Sequence, residues 1–147
     1  MARIVDDSAG IAQLVKGYKR VVVLGIKPES RGGEAGFYVP EYLHQEGVEI
    51  VPVPVYYPDV TRILGIPVIR KLADVQGPVD CVDVFRKASD IPPHVDDLIA
   101  LKPKSVWFQL GIRNDEAAKK LVDAGIDVVQ DKCLLVEHRK YVKNEQD

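Results

Sequence analysis

Four consecutive apolar residues that stop at a glycine, Val21-Val22-Val23-Leu24-Gly25, constrain this chain more than any other stretch. With no alternation of apolar and polar positions, they read as a strand buried on both faces, as in a parallel sheet covered by helices on each side. Next come Ile26 to Ala35 and then Gly36-Phe37-Tyr38-Val39, a glycine-rich basic turn carrying Lys27, Arg31, Gly32 and Gly33 and leading into a helix. Strand, glycine turn and helix N-terminus in succession can cradle a phosphate. Glycines admit close approach of backbone N–H groups, and the first helical turn adds unpaired donors and a positive dipole end. The spacing from Gly25 to Gly36 is neither G-x-G-x-x-G nor G-x-x-x-x-G-K-[ST], so an ordinary strand-to-helix loop describes the same residues.

The rest of the chain repeats the strand-then-helix alternation. Residues 8–15 form a helix capped by Asp7 or Ser8, with Ile11, Leu14 and Val15 on one face and Gly17 as its stop. A second helix runs from Phe37 to Glu46, placed so that Pro40 falls in its first turn, and Gly47 ends it. The strand that follows ends near Val53, because Pro52 and Pro54 cannot donate to a ladder. Residues 63–68 suggest a short edge strand, and residues 79–85 read as a clear strand. In the latter, Val79, Cys81, Asp83 and Phe85 share a face opposite Asp80, Val82 and Val84. Asp83 on that apolar face either orients backbone groups at the strand end or sits in water at the sheet rim. Ser89-Asp90 with Pro92 and Pro93 opens a helix to Leu101, and residues 104–111 are a strand and turn. Asn114-Asp115-Glu116 caps a helix that stops at Gly125, residues 126–129 are the last strand, and residues 131–138 follow with Cys133 near their start.

This order predicts an α/β fold: a Rossmann-like open, mostly parallel sheet with helices on both faces. Ligands of such folds bind outside the strand carboxyl ends, where the strand order reverses. Four stretches should therefore converge at one edge: residues 25–36, 53–57, 85–87 and 109–112. The second stretch argues against a classical NAD site. Val53-Pro54-Val55-Tyr56-Tyr57 has no carboxylate where one would hold the ribose 2′-hydroxyl, although Tyr56 and Tyr57 could flank an adenine ring.

At 147 residues the expectation is one domain, residues 1–147. A formal net charge of -2 argues against a broad nucleic-acid footprint but leaves room for a local basic pocket. Asp6 and Asp7 stand where a signal peptide carries positive charge, and no apolar run approaches the ~18 residues of a membrane span. The expected setting is the cytoplasm, with Cys81 and Cys133 as free thiols. Two cysteines without a C-x-x-C pair and three scattered histidines do not make a metal site. Self-association is left open.

At Val82-Asp83-Val84-Phe85-Arg86, Val106-Trp107-Phe108-Gln109-Leu110-Gly111 and Asp131-Lys132-Cys133-Leu134-Leu135-Val136-Glu137-His138, the chain resembles the small stand-alone CoA-binding proteins. These are similar to the N-terminal Rossmann-like domain of the succinyl-CoA synthetase alpha subunit. The resemblance spans about Val21 to His138 and implies a coenzyme A or acyl-CoA site at the strand carboxyl ends. It implies that the Gly25 turn and Arg31 hold phosphates, and that the loop after Val53 lies along adenine and ribose. Phe85, Arg86 and Gln109 would meet the rest of the coenzyme, beside Gly111. Gly25-Ile26-Lys27 stands where the family usually has Gly-Ala-Ser, and Val53-Pro54-Val55 where it has Asn-Pro after Val. Both departures remove side-chain hydrogen-bonding groups from the nucleotide end, and Lys27 substitutes charge for one of them.

No catalytic constellation is legible. His44, His94 and His138 stand alone, Gly-x-Ser-x-Gly is absent, and the synthetase carries its phosphohistidine in a further domain, so a complete ligase is not expected. Cys133 near Lys132 is the one candidate for chemistry, a thiol exchange with the coenzyme, against the alternative of a small buried apolar residue. Cys81 belongs to the core. The expected function is thus non-catalytic binding of coenzyme A or acyl-CoA. Two rivals stand beside it: an NAD(P)- or adenylate-dependent enzyme, and an interaction subunit that has lost its ligand.

Overall fold

The structure is a computed structural model that describes residues 1–143; the last four residues of the expected 1–147 domain lie outside the described residues. Among the described residues its elements begin, in chain order, with α1 (Ser8–Lys16), β1 (Arg20–Leu24), α2 (Ala35–Gln45), β2 (Glu49–Val53), β3 (Arg62–Ile63) and β4 (Ile66–Pro67). There follow β5 (Cys81–Val84), α3 (Val95–Leu101), β6 (Ser105–Phe108), α4 (Asp115–Asp123), β7 (Asp127–Val129) and α5 (Leu134–His138). Five strands form one sheet in the order β2-β1-β5-β6-β7, all pairs parallel. The expected Rossmann-like architecture is present.

The run at β1 has the burial its composition requires: Val21, Val22 and Val23 are fully enclosed. Successive side chains point to opposite faces. Val21 and Val23 pack with Ile11, Phe37, Leu43 and Leu134 from α1, α2 and α5. Val22 and Leu24 join Leu98, Ala118 and Leu121 from α3 and α4 on the other face. Two local signals act as expected. The Asp7 side chain accepts Gly10 N–H at 2.9 Å to cap α1, and Asn114 Oδ1 accepts Ala117 N–H at 3.0 Å to cap α4.

Several boundaries differ from the sequence expectation. Helix α2 begins at Ala35, before Phe37, so Pro40 lies inside it beyond the first turn. A proline there leaves the carbonyl of Gly36 without its helical donor. Lys27 N–H takes that carbonyl at 3.0 Å, which ties the start of the β1–α2 loop to the helix. Residues 63–68 are not an edge strand of the main sheet but a separate antiparallel hairpin, β3–β4, turned at Leu64 and Gly65 with φ of 56° and 74°. Beyond it, Ile69 N–H reaches Pro52 O at 2.8 Å and covers the outer edge of β2. Pro52 is tolerated because its carbonyl, and with it its nitrogen, points away from β1. Helix α3 starts only at Val95; Pro92 and Pro93 sit in a preceding 3-10 turn, Pro92–His94, and neither Ser89 nor Asp90 caps the helix.

Asp83 corrects both expected placements. It is in register with Val23 on one side and Trp107 on the other, in the middle of the sheet. It is fully buried, and both carboxylate oxygens lack a hydrogen-bond partner among the described residues. Burial pushes its carboxyl well above the ordinary 3.8. Val79, which precedes β5, packs with the opposite core from Cys81.

Candidate ligand-binding site

The strand order reverses between β1 and β5: β2 lies on one side of β1, and the chain crosses back to place β5 on the other. Such a switch point opens a crevice at the strand carboxyl ends. Here the crevice is floored by Gly25 and Phe85, with Gly25 N–H on Val53 O and Phe85 N–H on Leu24 O, each at 2.9 Å. Gly25 has φ of 86°, and a Cβ on it would run into the Phe85 carbonyl oxygen. A glycine is the residue that fits both constraints.

Two cavities flank this floor, of about 580 and 600 Å³, each of the size that holds a small-molecule ligand. The first is lined by Lys27, Glu34, Gly36, Phe85, Arg86 and Gly111, among others. The second is lined by Pro54, Val55, Tyr56, Arg70, Arg86 and His94, with Pro58. Arg86 belongs to both. Its Nε is buried without a hydrogen-bond partner among the described residues, and its ion pair with Asp90 is long, 3.9 Å from Nη2. A guanidinium in that condition at a crevice is suited to a phosphate, which offers several acceptor oxygens at once.

The predicted site residues separate into two groups. Gly25, Lys27, Pro54, Phe85, Arg86 and Gly111 come together on the floor or in the two linings. Ile26 and Val53 turn their side chains into the core at 1% exposure each and offer the crevice only backbone. Gln109 is buried as well, and its Oε1 accepts Leu134 N–H at 3.0 Å, which fastens the start of α5 to the end of β6. Arg31 lies in a 3-10 turn, outside both linings, with its guanidinium on Glu34. Cys133 is half-buried at the N-cap position of α5 and also lies outside both linings. Tyr56 and Tyr57 meet edge to face, 5.0 Å apart at 72°, so they cannot clamp one flat ring between them. Tyr56 alone faces the second cavity, and Lys27 Nζ sits 5.9 Å from the Tyr57 ring centre.

Three residues of this edge were not singled out from sequence as binding residues. Glu34 pairs with both cations of the glycine turn, Arg31 and, at 3.6 Å, Lys27. The Arg31 guanidinium first, and Lys27 after it, hold its carboxyl below the usual range. Arg70 donates to the carbonyls of Tyr56, Tyr57, Pro58 and Val60 and so shapes the loop after β2. His94 is half-buried in the second cavity; burial first, then the Arg86 charge, lower its imidazole below the usual 6.5. Glu34 belongs to the glycine turn by sequence alone, whereas Arg70 stands in a segment without periodicity and His94 is a single histidine with no motif around it.

A third cavity, of about 530 Å³, opens at the opposite edge of the sheet between Arg3, Tyr18, Asp80, Lys104 and Asp127. Its charges answer one another: Lys104 pairs with Asp80 at 3.2 Å, Asp80 accepts Lys19 and Arg20 N–H, and Asp127 accepts Arg3 N–H. Among the described residues no helix is long and apolar enough to cross a membrane.

Sheet order and the switch-point glycine define a Rossmann-like domain with a candidate ligand crevice at its strand carboxyl ends. More narrowly, the chain belongs to the CoA-binding domain family, whose model matches residues 19–139. It is 29% identical over 132 residues to the uncharacterized protein YneT of Bacillus subtilis, covering 90% of this chain and 94% of that one. A Thermus thermophilus structure, cell-free ID.343, superposes with a TM-score of 0.83 at 35% identity, over 92% of this chain and 99% of the other. A hypothetical protein from Pyrococcus horikoshii gives a TM-score of 0.83 at 26% identity, over 97% and 98%.

Proposed function

We propose that this protein binds coenzyme A or an acyl-CoA along the carboxyl edge of its sheet, without catalysis of its own. The observation that carries the reading is Arg86, a guanidinium with a buried, unpartnered Nε shared by two ligand-sized cavities at the switch point. Coenzyme A is a long molecule with a phosphorylated nucleotide at one end and an uncharged arm at the other. In this reading the second cavity, with its Pro54, Val55 and Tyr56 shelf, takes the adenosine end. Lys27 takes the pyrophosphate, and Arg86, shared by the two cavities, takes a phosphate group beside it. The first cavity, with Phe85, Gly36 and Gly111, takes the uncharged arm, because glycines let backbone and ligand approach closely. No carboxylate stands between Val53 and Asp59 to select a ribose 2′-hydroxyl, which speaks against NAD.

Calorimetric titration with CoA, acetyl-CoA, NAD and ATP under reducing conditions tests the reading. The expected result is micromolar binding of CoA, none of NAD, and a loss of about tenfold or more in Arg86→Ala, the scale of a charge-assisted contact. No heat and no thermal shift with CoA or acetyl-CoA would overturn it and leave a partner protein as the occupant of this edge.

A further inference from the structure

This inference rests on the coenzyme A reading and concerns a residue of the second cavity which that reading leaves without a role, His94. His94 and Arg86 line the same space, and the guanidinium charge works against protonation of the imidazole. A protonated imidazole and a guanidinium facing one cavity repel each other unless an anion joins them. The remaining charges around His94 are Asp90 and Asp97, which pull its imidazole the other way less strongly than burial and Arg86 push it down. Asp90 gives Arg86 only a long ion pair and is itself 44% exposed. The third cation in the lining, Arg70, is engaged by loop carbonyls. Among the described residues no carboxylate lines the cavity. Beside the two basic groups lies the exposed ring of Tyr56, and next to it Val55 and Pro54, an apolar shelf for a flat base.

We propose that Arg86 and His94 form a phosphate-monoester subsite that takes the ribose 3′-phosphate of coenzyme A, and that His94 gains a proton from solvent as the phosphate binds. Arg86 supplies the permanent charge. Neutral His94 plus one proton from water becomes imidazolium, and the bound dianion keeps it so. No other bond is made or broken. The phosphate's own second ionisation, near ~6, works in the opposite direction, since the dianion is lost as pH falls. The effect of His94 is therefore read as a difference between two ligands and between two proteins.

The test titrates the full chain with CoA and with dephospho-CoA, which lacks only the 3′-phosphate, in buffers of differing ionisation enthalpy. Wild type should take up a fraction of a proton with CoA and none with dephospho-CoA near neutral pH. The ratio of CoA to dephospho-CoA affinity should rise about three- to tenfold from about pH 8 to about pH 6, the ceiling for one linked proton being about tenfold per unit. In His94→Asn, whose fold is checked by circular dichroism, the ratio should be flat or reversed. Nuclear magnetic resonance of the wild-type histidines gives a readout free of mutation: adenosine 3′,5′-bisphosphate should move the His94 titration upward and leave His44 in place. Equal proton uptake with both ligands, an unmoved His94 titration, or a wild-type profile in His94→Asn would overturn the subsite while leaving coenzyme A binding standing. Failure of CoA and dephospho-CoA alike to bind wild type would overturn both.

Discussion

Glu34 decides how much of the glycine turn's positive charge a ligand meets. Its carboxylate sits between Lys27 and Arg31, and side chains of these residues are 33% to 50% exposed. Ion pairs of that exposure are weakened by solvent and salt screening. Glu34→Gln should accordingly raise CoA affinity by about two- to fivefold, with a steeper salt dependence because more charge is free to meet the phosphates. Titrations of both proteins at two salt concentrations check this, and equal affinities would mean that these cations do not meet the ligand. Asp83 poses the opposite problem, a carboxyl with no hydrogen-bond partner among the described residues. Its folded value lies above the unfolded one because burial penalises the charge. Between those two values the native state holds a proton that the unfolded state has lost, so stability falls as pH rises through the window. Asp83→Asn should remove that slope, at most about 1.4 kcal/mol per pH unit, and be the more stable protein at neutral pH. Urea denaturation of both proteins at about pH 5 and about pH 8 measures it; parallel pH profiles would show that Asp83 does not titrate differently on folding.

The elements that frame the crevice depend on a few contacts between them. Gly25→Ala meets both a φ of 86° and the Phe85 carbonyl oxygen, backbone that cannot swing aside. A loss of about 2–4 kcal/mol is expected, from the left-handed conformation and the overpacking together. Gly33→Ala, with nothing within 4 Å of the added carbon, should stay within about 0.5 kcal/mol and serves as the control. Asn114 caps α4 and also donates from Nδ2 to Ala88 O at 2.9 Å, so it joins the helix to the loop that carries Arg86. Asn114→Ala should cost about 1 kcal/mol of stability, seen in the denaturation midpoint. Asn114→Asp, which keeps the cap but loses that donor, should recover the cap energy while CoA affinity stays reduced. The caps at Asp7 and Asn114 were legible in the sequence because a cap involves residues within one turn of each other. The start of α2 was not, because Pro40 is accommodated by Lys27, a residue from the preceding loop. The β3–β4 hairpin escaped for a similar reason, since the outer edge of β2 is met by Ile69, well beyond any local pattern.

At the scale of the whole molecule, a ligand that binds only the folded chain stabilises it by mass action, by about 2.7 kcal/mol at a hundredfold excess over Kd. For a chain of 147 residues this is a rise of about 5–10 °C in Tm. Differential scanning fluorimetry with CoA should show it in wild type and show a much smaller shift at the same concentration in Arg86→Ala. By itself the sequence determined the alternation of strands and helices, the burial of β1 on both faces and the edge at which the glycine turn and the strand-end loops gather. Those follow from periodicity, glycine and proline, which act on neighbouring residues. Only the tertiary structure decided which polar side chains at that edge are left to meet a ligand. Arg31 is held by Glu34, Arg70 by the carbonyls of its own loop and Gln109 by Leu134, whereas Arg86 keeps a buried Nε without a partner and His94 shares its cavity. The physical reason is that a donor's freedom depends on the acceptors packed around it. Packing brings those acceptors from distant parts of the chain, so residue type alone does not reveal it.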